Sequence, residues 1–192
     1  MTCKNPTDMP VELLKAEHRA ILRVVVVLEQ LIGGDDAASP LDTDALGKCV
    51  EFLRLFADAF HHAKEEDLLF PTLERCGIPR DHGPIGVMLQ EHSMARELTR
   101  AMADGLDACQ AGQADAETAV RRAAAQYIEL LRQHIFKEDN ILYPMGDRVM
   151  TDEDQSTLCS QFCEVGCRKF GGKQAAELMR MADELEAALP AR

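Results

Sequence analysis

Histidine and glutamate recur in this chain in a spacing that suits metal ligation. Glu17-His18 is followed, after a gap, by His61-His62-Ala63-Lys64-Glu65, with Pro71 ten residues beyond His61. The same order returns at Glu91-His92 and then His134-Ile135-Phe136-Lys137-Glu138, with Pro144 ten residues beyond His134. Residues i and i+4 of an α-helix project from one face, one turn apart, so an imidazole and a carboxylate so spaced can bind the same or adjacent metal ions. His61 with Glu65 and His134 with Glu138, together with His18 and His92, make a ligand set for two metals. Helix bundles that hold two irons draw inward-facing Glu and His from all four helices.

The helices that must position these residues are legible from apolar periodicity. A first helix starts at Asp8-Met9-Pro10 and stops at Gly33-Gly34, with Leu14, His18, Ile21, Leu22, Val25 and Leu28 on one stripe. Gly33 to Leu41, containing Asp35, Asp36 and Ser39, reads as a polar loop. A second helix is predicted from about Asp42 to Arg75, with Leu53, Ala57, His61, Glu65 and Leu68 aligned and Pro71 bending or ending it. Gly83-Pro84 opens a third, ending near Gly112, with Ile85, Met88, Leu89, His92, Ala95 and Met102 inward. The fourth, from about Ala116 to Pro144, carries Tyr127, Leu130, Leu131, His134, Glu138, Ile141 and Leu142. Short loops make an antiparallel bundle the simplest packing. Thr151 to about Phe170, a break at Gly171-Gly172 and a last helix to about Leu189 form an appended pair. The expected organisation is therefore a bundle over residues 1–148 and a helical extension over 149–192, covering the bundle or a partner.

Composition narrows the function classes. A net charge of −12 argues against nucleic acid or an anionic membrane as the main partner. Met1 to Pro10 lack the apolar core of a signal peptide and no apolar run is long enough to span a bilayer, so a cytoplasmic location is expected. The seven cysteines, Cys3, Cys49, Cys76, Cys109, Cys159, Cys163 and Cys167, do not form the pattern of a disulfide scaffold, and reduced thiols are expected. Cys159, Cys163 and Cys167 line one helical face, read as small, partly buried side chains rather than a redox face.

A lone histidine on an apolar stripe is usually a hydrogen-bonded core residue. Four on four stripes are not that case. Glu65 and Glu138 on core faces require a cation or a proton, because a bare buried carboxylate costs several kcal/mol. The second helix offers two registers, His61 with Glu65 or His62 with Glu66. Superposing the repeats on their prolines favours the first and leaves His62 and Glu66 to supporting or surface roles. His82, in a Gly/Pro loop, is read as a cap or an exposed residue.

The stretches around Glu17-His18, His61 to Pro71, Met88 to His92 and His134 to Pro144 resemble the hemerythrin-like, HHE cation-binding family over about residues 10 to 145. Lys64-Glu65 leading to Leu69-Phe70-Pro71, echoed by Lys137-Glu138 leading to Leu142-Tyr143-Pro144, carries the likeness best. It implies an all-α, up-down-up-down four-helix bundle around a non-haem pair of iron ions bridged by oxygen species. His18, His61, His92 and His134 would be terminal ligands, and Glu65 and Glu138 would bridge. Two departures stand out. Met88 occupies the place of the first histidine of the His-x-x-x-His pair of oxygen-carrying hemerythrins, and Asp139 fills the place of their bridging aspartate while Glu138 lies in register with Glu65. Glu138 is the preferred bridge, and a hydroxide, water or carboxylate such as Glu66 is expected where the missing histidine would bind. Mixed imidazole and carboxylate ligands also suit zinc or manganese. The implied function is binding or sensing of O2, peroxide or nitric oxide. A di-iron peroxidase or catalase-like enzyme and an iron-responsive interaction module are the rivals, and a homo-oligomer is compatible with either.

Overall fold

The structure is a computed structural model and describes residues 9–33 and 40–189. The expected cap at Asp8, the stop at Gly34, the loop residues Asp35, Asp36 and Ser39, and Cys3 lie outside the described residues. The chain is almost entirely helical. Helix α1 spans Pro10–Ile32, with Pro10 in the first turn, where its missing N–H leaves no bond unmade. A second long rod, residues 43–75, joins α2 (Thr43–Phe52), π-helical turns at Leu53–His62 and Glu65–Leu69, and α3 (Phe70–Arg75). The Asp42 side chain caps it by accepting from the Ala45 N–H at 2.9 Å. The third rod is α4 (Pro84–Gln110). The fourth, residues 116–149, joins α5 (Ala116–Lys137), a π-turn at Glu138–Leu142 and α6 (Tyr143–Val149), so it runs past Pro144, where the sequence suggested an end.

The prolines explain the π-turns beside them. A proline ring inside a helix clashes with the carbonyl four residues back. Here the N–H just before each proline reaches one residue further than usual, Phe70 to the Glu65 carbonyl and Tyr143 to that of Glu138. The widened turn admits the ring and the rod continues. Both widened turns begin at the paired glutamates.

Helix α7 (Asp152–Gly166) starts with a reciprocal cap in which the Thr151 hydroxyl accepts from the Asp154 N–H and the Asp154 carboxylate accepts from the Thr151 N–H. The break at Gly171-Gly172 is a two-residue hairpin turn between β1 (Lys169–Phe170) and β2 (Lys173–Gln174), where the sequence alone suggested only an interruption. Both glycines have positive φ, +55° and +84°, as a right-handed hairpin demands of its two central residues. Helix α8 (Ala175–Ala187) follows. Helices α7 and α8 both pack on α1, and α8 also lies on α2.

Each of the four long rods packs against two others: α1 on α2 and α5, and α4 on α2 and α5. Their buried side chains form two separate apolar clusters. One holds Val24, Leu28, Phe52, Phe56, Ala124 and Leu131, with Leu178 of α8. The other holds Leu14, Leu69, Phe70, Met88, Leu142 and Tyr143, with Phe162 of α7. Full burial of each aliphatic or aromatic side chain contributes about 1.5–3 kcal/mol. Going along α1 and α4, the chain passes from the second cluster to the first; along the other two rods it passes back. Between the clusters, on every rod, lies a buried polar layer.

No described helix is long and apolar enough to cross a membrane. Cys49, Cys76, Cys109 and Cys167 are free thiols, whereas Cys163 is disulfide-bonded, so the expectation of reduced thiols fails at that position.

Candidate metal centre

The polar layer consists of His18 from α1, His61, His62 and Glu65 from the second rod, His92 from α4, and His134 and Glu138 from the fourth rod, none more than 2% exposed. Two groups form within it, in each of which one ligand atom per residue lies within 4.8 Å of the others: His18, His61, Glu65 and Glu138, and His62, Glu65, His92 and His134. Glu65 belongs to both. Its Oε2 stands 3.5 Å from His61 Nε2 and 3.5 Å from His92 Nε2, and Glu138 Oε2 stands 3.2 Å from both His18 Nε2 and His134 Nε2. Both carboxylates thus lie between the two histidine groups.

All six sequence-predicted ligands, His18, His61, Glu65, His92, His134 and Glu138, meet in this one place. His62 joins them, against the expectation of a supporting or surface role. Its ring stacks on His92 with centroids 3.8 Å apart. The π-helical run Leu53–His62 accounts for this, since wider turns separate successive side chains by a smaller angle and bring two adjacent histidines onto the inner face. His82, by contrast, is exposed and belongs to neither group. Met88 is an ordinary core residue of the second apolar cluster.

A carboxylate holds the outer nitrogen of four of the five rings. His61 Nδ1 donates to Glu17 at 2.9 Å and His134 Nδ1 to Glu91 at 3.0 Å. His18 Nδ1 donates to Asp139 at 2.8 Å and His92 Nδ1 to Glu66 at 2.7 Å. Each bond fixes the ring plane and the tautomer, aims Nε2 inward and makes it a stronger donor to a metal. Asp139 and Glu66 therefore stand behind histidines, and the alternatives of Asp139 as bridge and Glu66 as added ligand do not match their positions. Glu17 and Glu91 were visible in the sequence as the residue before each single histidine, but their hold on the other histidine of the same repeat unit is a tertiary fact. Each is held in turn by a lysine, Lys64 for Glu17 and Lys137 for Glu91. Tyr143 adds a contact that the sequence did not reveal, its hydroxyl donating to Glu65 Oε1 at 2.5 Å.

The electrostatics are those of a site whose charges want cations. Burial and the neighbouring Glu138 push the Glu65 carboxyl well above the usual range. Burial would do the same to Glu138, but His134 and His18 outweigh it and hold that group well below. Burial lowers His18 and His134, yet their carboxylate partners prevail and raise them to about 9 and about 10. His61 is held well below its ordinary value by burial and by its cationic neighbours, and burial and the charge of His92 push His62 down to about 3. His61 Nε2, Glu65 Oε2 and Glu138 Oε1 remain buried with no hydrogen-bond partner. Buried polar atoms of this kind are rare and demand an explanation such as an ion. The donor set, five imidazoles and two carboxylates around two adjacent points, fits a pair of iron ions, and zinc or manganese as well.

The comparisons with known proteins agree with this geometry. The hemerythrin HHE cation-binding domain matches residues 9–146. An uncharacterized protein of Mycobacterium tuberculosis, Rv1995, is 25% identical over 166 residues, 86% of this chain and 64% of that protein. Its counterpart Mb2018 in Mycobacterium bovis matches to the same extent. The iron-sulfur cluster repair protein YtfE of Edwardsiella ictaluri is 32% identical over 135 residues, 68% of this chain and 60% of that protein. The chain thus spans under two thirds of the length of these relatives.

Proposed function

We propose, from the premise that this chain belongs to the hemerythrin HHE cation-binding family, that its buried cluster holds two iron ions and that the protein binds or senses O2, peroxide or nitric oxide there. The single observation that carries this is the convergence of buried histidine and glutamate ligand atoms on two adjacent points, with His61 Nε2 and Glu65 Oε2 among them left without a hydrogen-bond partner. His18 and His61 would hold one ion and His62, His92 and His134 the other, with Glu65 and Glu138 shared. The frame is read as an up-down-up-down four-helix bundle over residues 1–148, supported by the alternating passage of the rods between the two apolar clusters, with residues 149–192 as an extension on its flank.

When bound, the metal pair would supply the electrons and the open coordination position. The chain's own residues do the rest. The two apolar clusters exclude water from above and below, which strengthens every interaction within the layer. The Nδ1 carboxylates orient the rings. The Tyr143 hydroxyl holds Glu65 Oε1 and leaves Oε2 pointed at His61 and His92. An exogenous molecule is expected at an open coordination position of the pair. Loading with iron and titrating with nitric oxide or peroxide under an absorbance readout tests this: saturable spectral change supports binding, continuous peroxide turnover would instead favour an enzyme, and an inert spectrum would refute both.

A second reading has one specific support. The relative named for iron-sulfur cluster repair suggests that iron held here is donated to a damaged cluster. Transfer of iron from the loaded protein to an apo-ferredoxin, faster than from an iron chelate, would favour it.

A further inference from the structure

The two repeat units nearly mirror each other around the cluster, so their differences localise function. Beside His62 opens a cavity of about 580 Å³, whose walls include Asp58, Ala59, His62, Ala95, Arg96 and Tyr127. Its volume lies in the range of about 300–1,000 Å³ usual for small-molecule sites. At the equivalent places in the other unit stand Leu131 for Asp58, Ile135 for His62, Ile21 for Ala95 and Leu22 for Arg96. Ile21, Leu131 and Ile135 are buried in the aliphatic core. One side of the metal layer is therefore sealed by branched side chains, and the other is polar and hollow.

Arg96 is the hinge of the hollow side. Its Nε donates to Asp58 Oδ1 at 2.7 Å and its Nη2 to Glu66 Oε1 at 2.7 Å. Glu66 Oε1 also accepts from His92 Nδ1, and Asp58 Oδ1 lies 3.5 Å from His62 Nδ1. A guanidinium has five N–H donors, so after Asp58 and Glu66 are served others remain for an acceptor in the cavity. Its side chain is 35% exposed.

We propose that the exogenous molecule reaches the cluster through this cavity, on the His62–His92 side, and that Arg96 favours small anions there by donating its remaining N–H groups to them. The proposal rests on the reading that the cluster holds a metal pair. It names the route and the ligand class, which that reading leaves open. Arg96 acts here as a specificity-determining residue: it meets the incoming anion in the cavity wall and, through Glu66, steadies His92.

Azide is the probe. Its association with the iron-loaded protein is followed by stopped-flow absorbance in the wild type, in Ala59→Trp, which fills the cavity from an exposed position, in Arg96→Met, and in Val26→Trp, an exposed position of α1 on the sealed side. Metal content is measured in each. Ala59→Trp is expected to slow association about ten-fold and Arg96→Met to weaken azide about ten-fold, the scale of one lost charged hydrogen bond. Val26→Trp is expected to match the wild type. In the metal-free protein, dissolved O2 should broaden the NMR methyl signals of Ala95 and Thr99 more than those of Ile21 and Leu131. Equal azide rates in Ala59→Trp and wild type at equal iron content, or equal broadening on both sides, would overturn the proposal. Failure to hold iron would refute the metal reading instead, and the broadening experiment would still decide the route.

Discussion

Glu17→Gln and Glu91→Gln are the same chemical change at equivalent places in the two repeat units, and the structure assigns them different costs. Each carboxylate orients a histidine, so each variant should lose metal affinity by about 10–100-fold, the usual effect of removing a group behind a ligand. They differ in the lysine left behind. Lys64 is 2% exposed, held over the Phe60 ring at 4.0 Å and covered by Phe162 of α7 at 5.2 Å. Burial already pulls its ammonium down in spite of Glu17, and pushes Glu17 up in spite of Lys64. Removing one partner of a buried pair costs about 3–5 kcal/mol. Lys137 is 30% exposed and can turn to water, so losing Glu91 should cost at most about 1 kcal/mol. The gap of about 2–4 kcal/mol corresponds to roughly 4–16 °C in Tm for a chain of this size. Urea unfolding of chelator-treated protein reads the stability, and competition with a chromogenic chelator reads the affinity. Lys64→Met added to Glu17→Gln should recover most of the lost stability. Stability losses equal within about 0.5 kcal/mol in the two single variants would refute the reasoning about Lys64.

Removing His62 as His62→Leu should weaken one metal ion by about 10–100-fold and leave the other, measured as metal retained after a timed chelator challenge; His82→Ala should change nothing. Tyr143→Phe leaves Glu65 Oε1 without its donor in a fully buried place and should cost about 1–3 kcal/mol of metal-free stability, read by thermal unfolding. The metal-free fold should also weaken at alkaline pH. His18 and His134 are raised to about 9 and about 10, so the stability they lend is fully present below the ordinary imidazole value of about 6.5 and is lost as pH rises through 9 to 10. Glu138, held low, lends stability above the ordinary carboxylate value that is lost as pH falls. Denaturation at pH 7 to 10 with chelator present checks the alkaline arm, and metal-loaded protein should not show it, since metals displace those protons.

The long rods were legible because a stripe repeating at three and four residues is a strong signal, and Pro10, Pro84 and the glycine stops punctuate it. The six ligands were legible because a repeated His-x-x-x-Glu on apolar faces has few other uses. His62 was not, since an α-helical register places it off the stripe, and the π-turns that bring it inward come from backbone bonds that no apolar period reports. Glu66 looked like a candidate ligand because it stands one turn after His62, and Asp139 because it fills the place of the bridging aspartate of oxygen-carrying hemerythrins. Only the packing shows them reaching across to the outer nitrogens of His92 and His18. The small hairpin at Gly171-Gly172 was hidden because two-residue strands carry no periodicity. Tyr143 and Lys64 were part of the quoted motifs, yet what each touches depends on partners more than forty residues away in the chain.

Metal content of the protein loaded with ferrous iron under anaerobic conditions and freed of excess by gel filtration bears most directly on the central claim. Two irons per chain in the wild type, falling below one in Glu65→Ala because both groups share that carboxylate, is the expected result. No retained iron in the wild type, or full retention in Glu65→Ala, would contradict it.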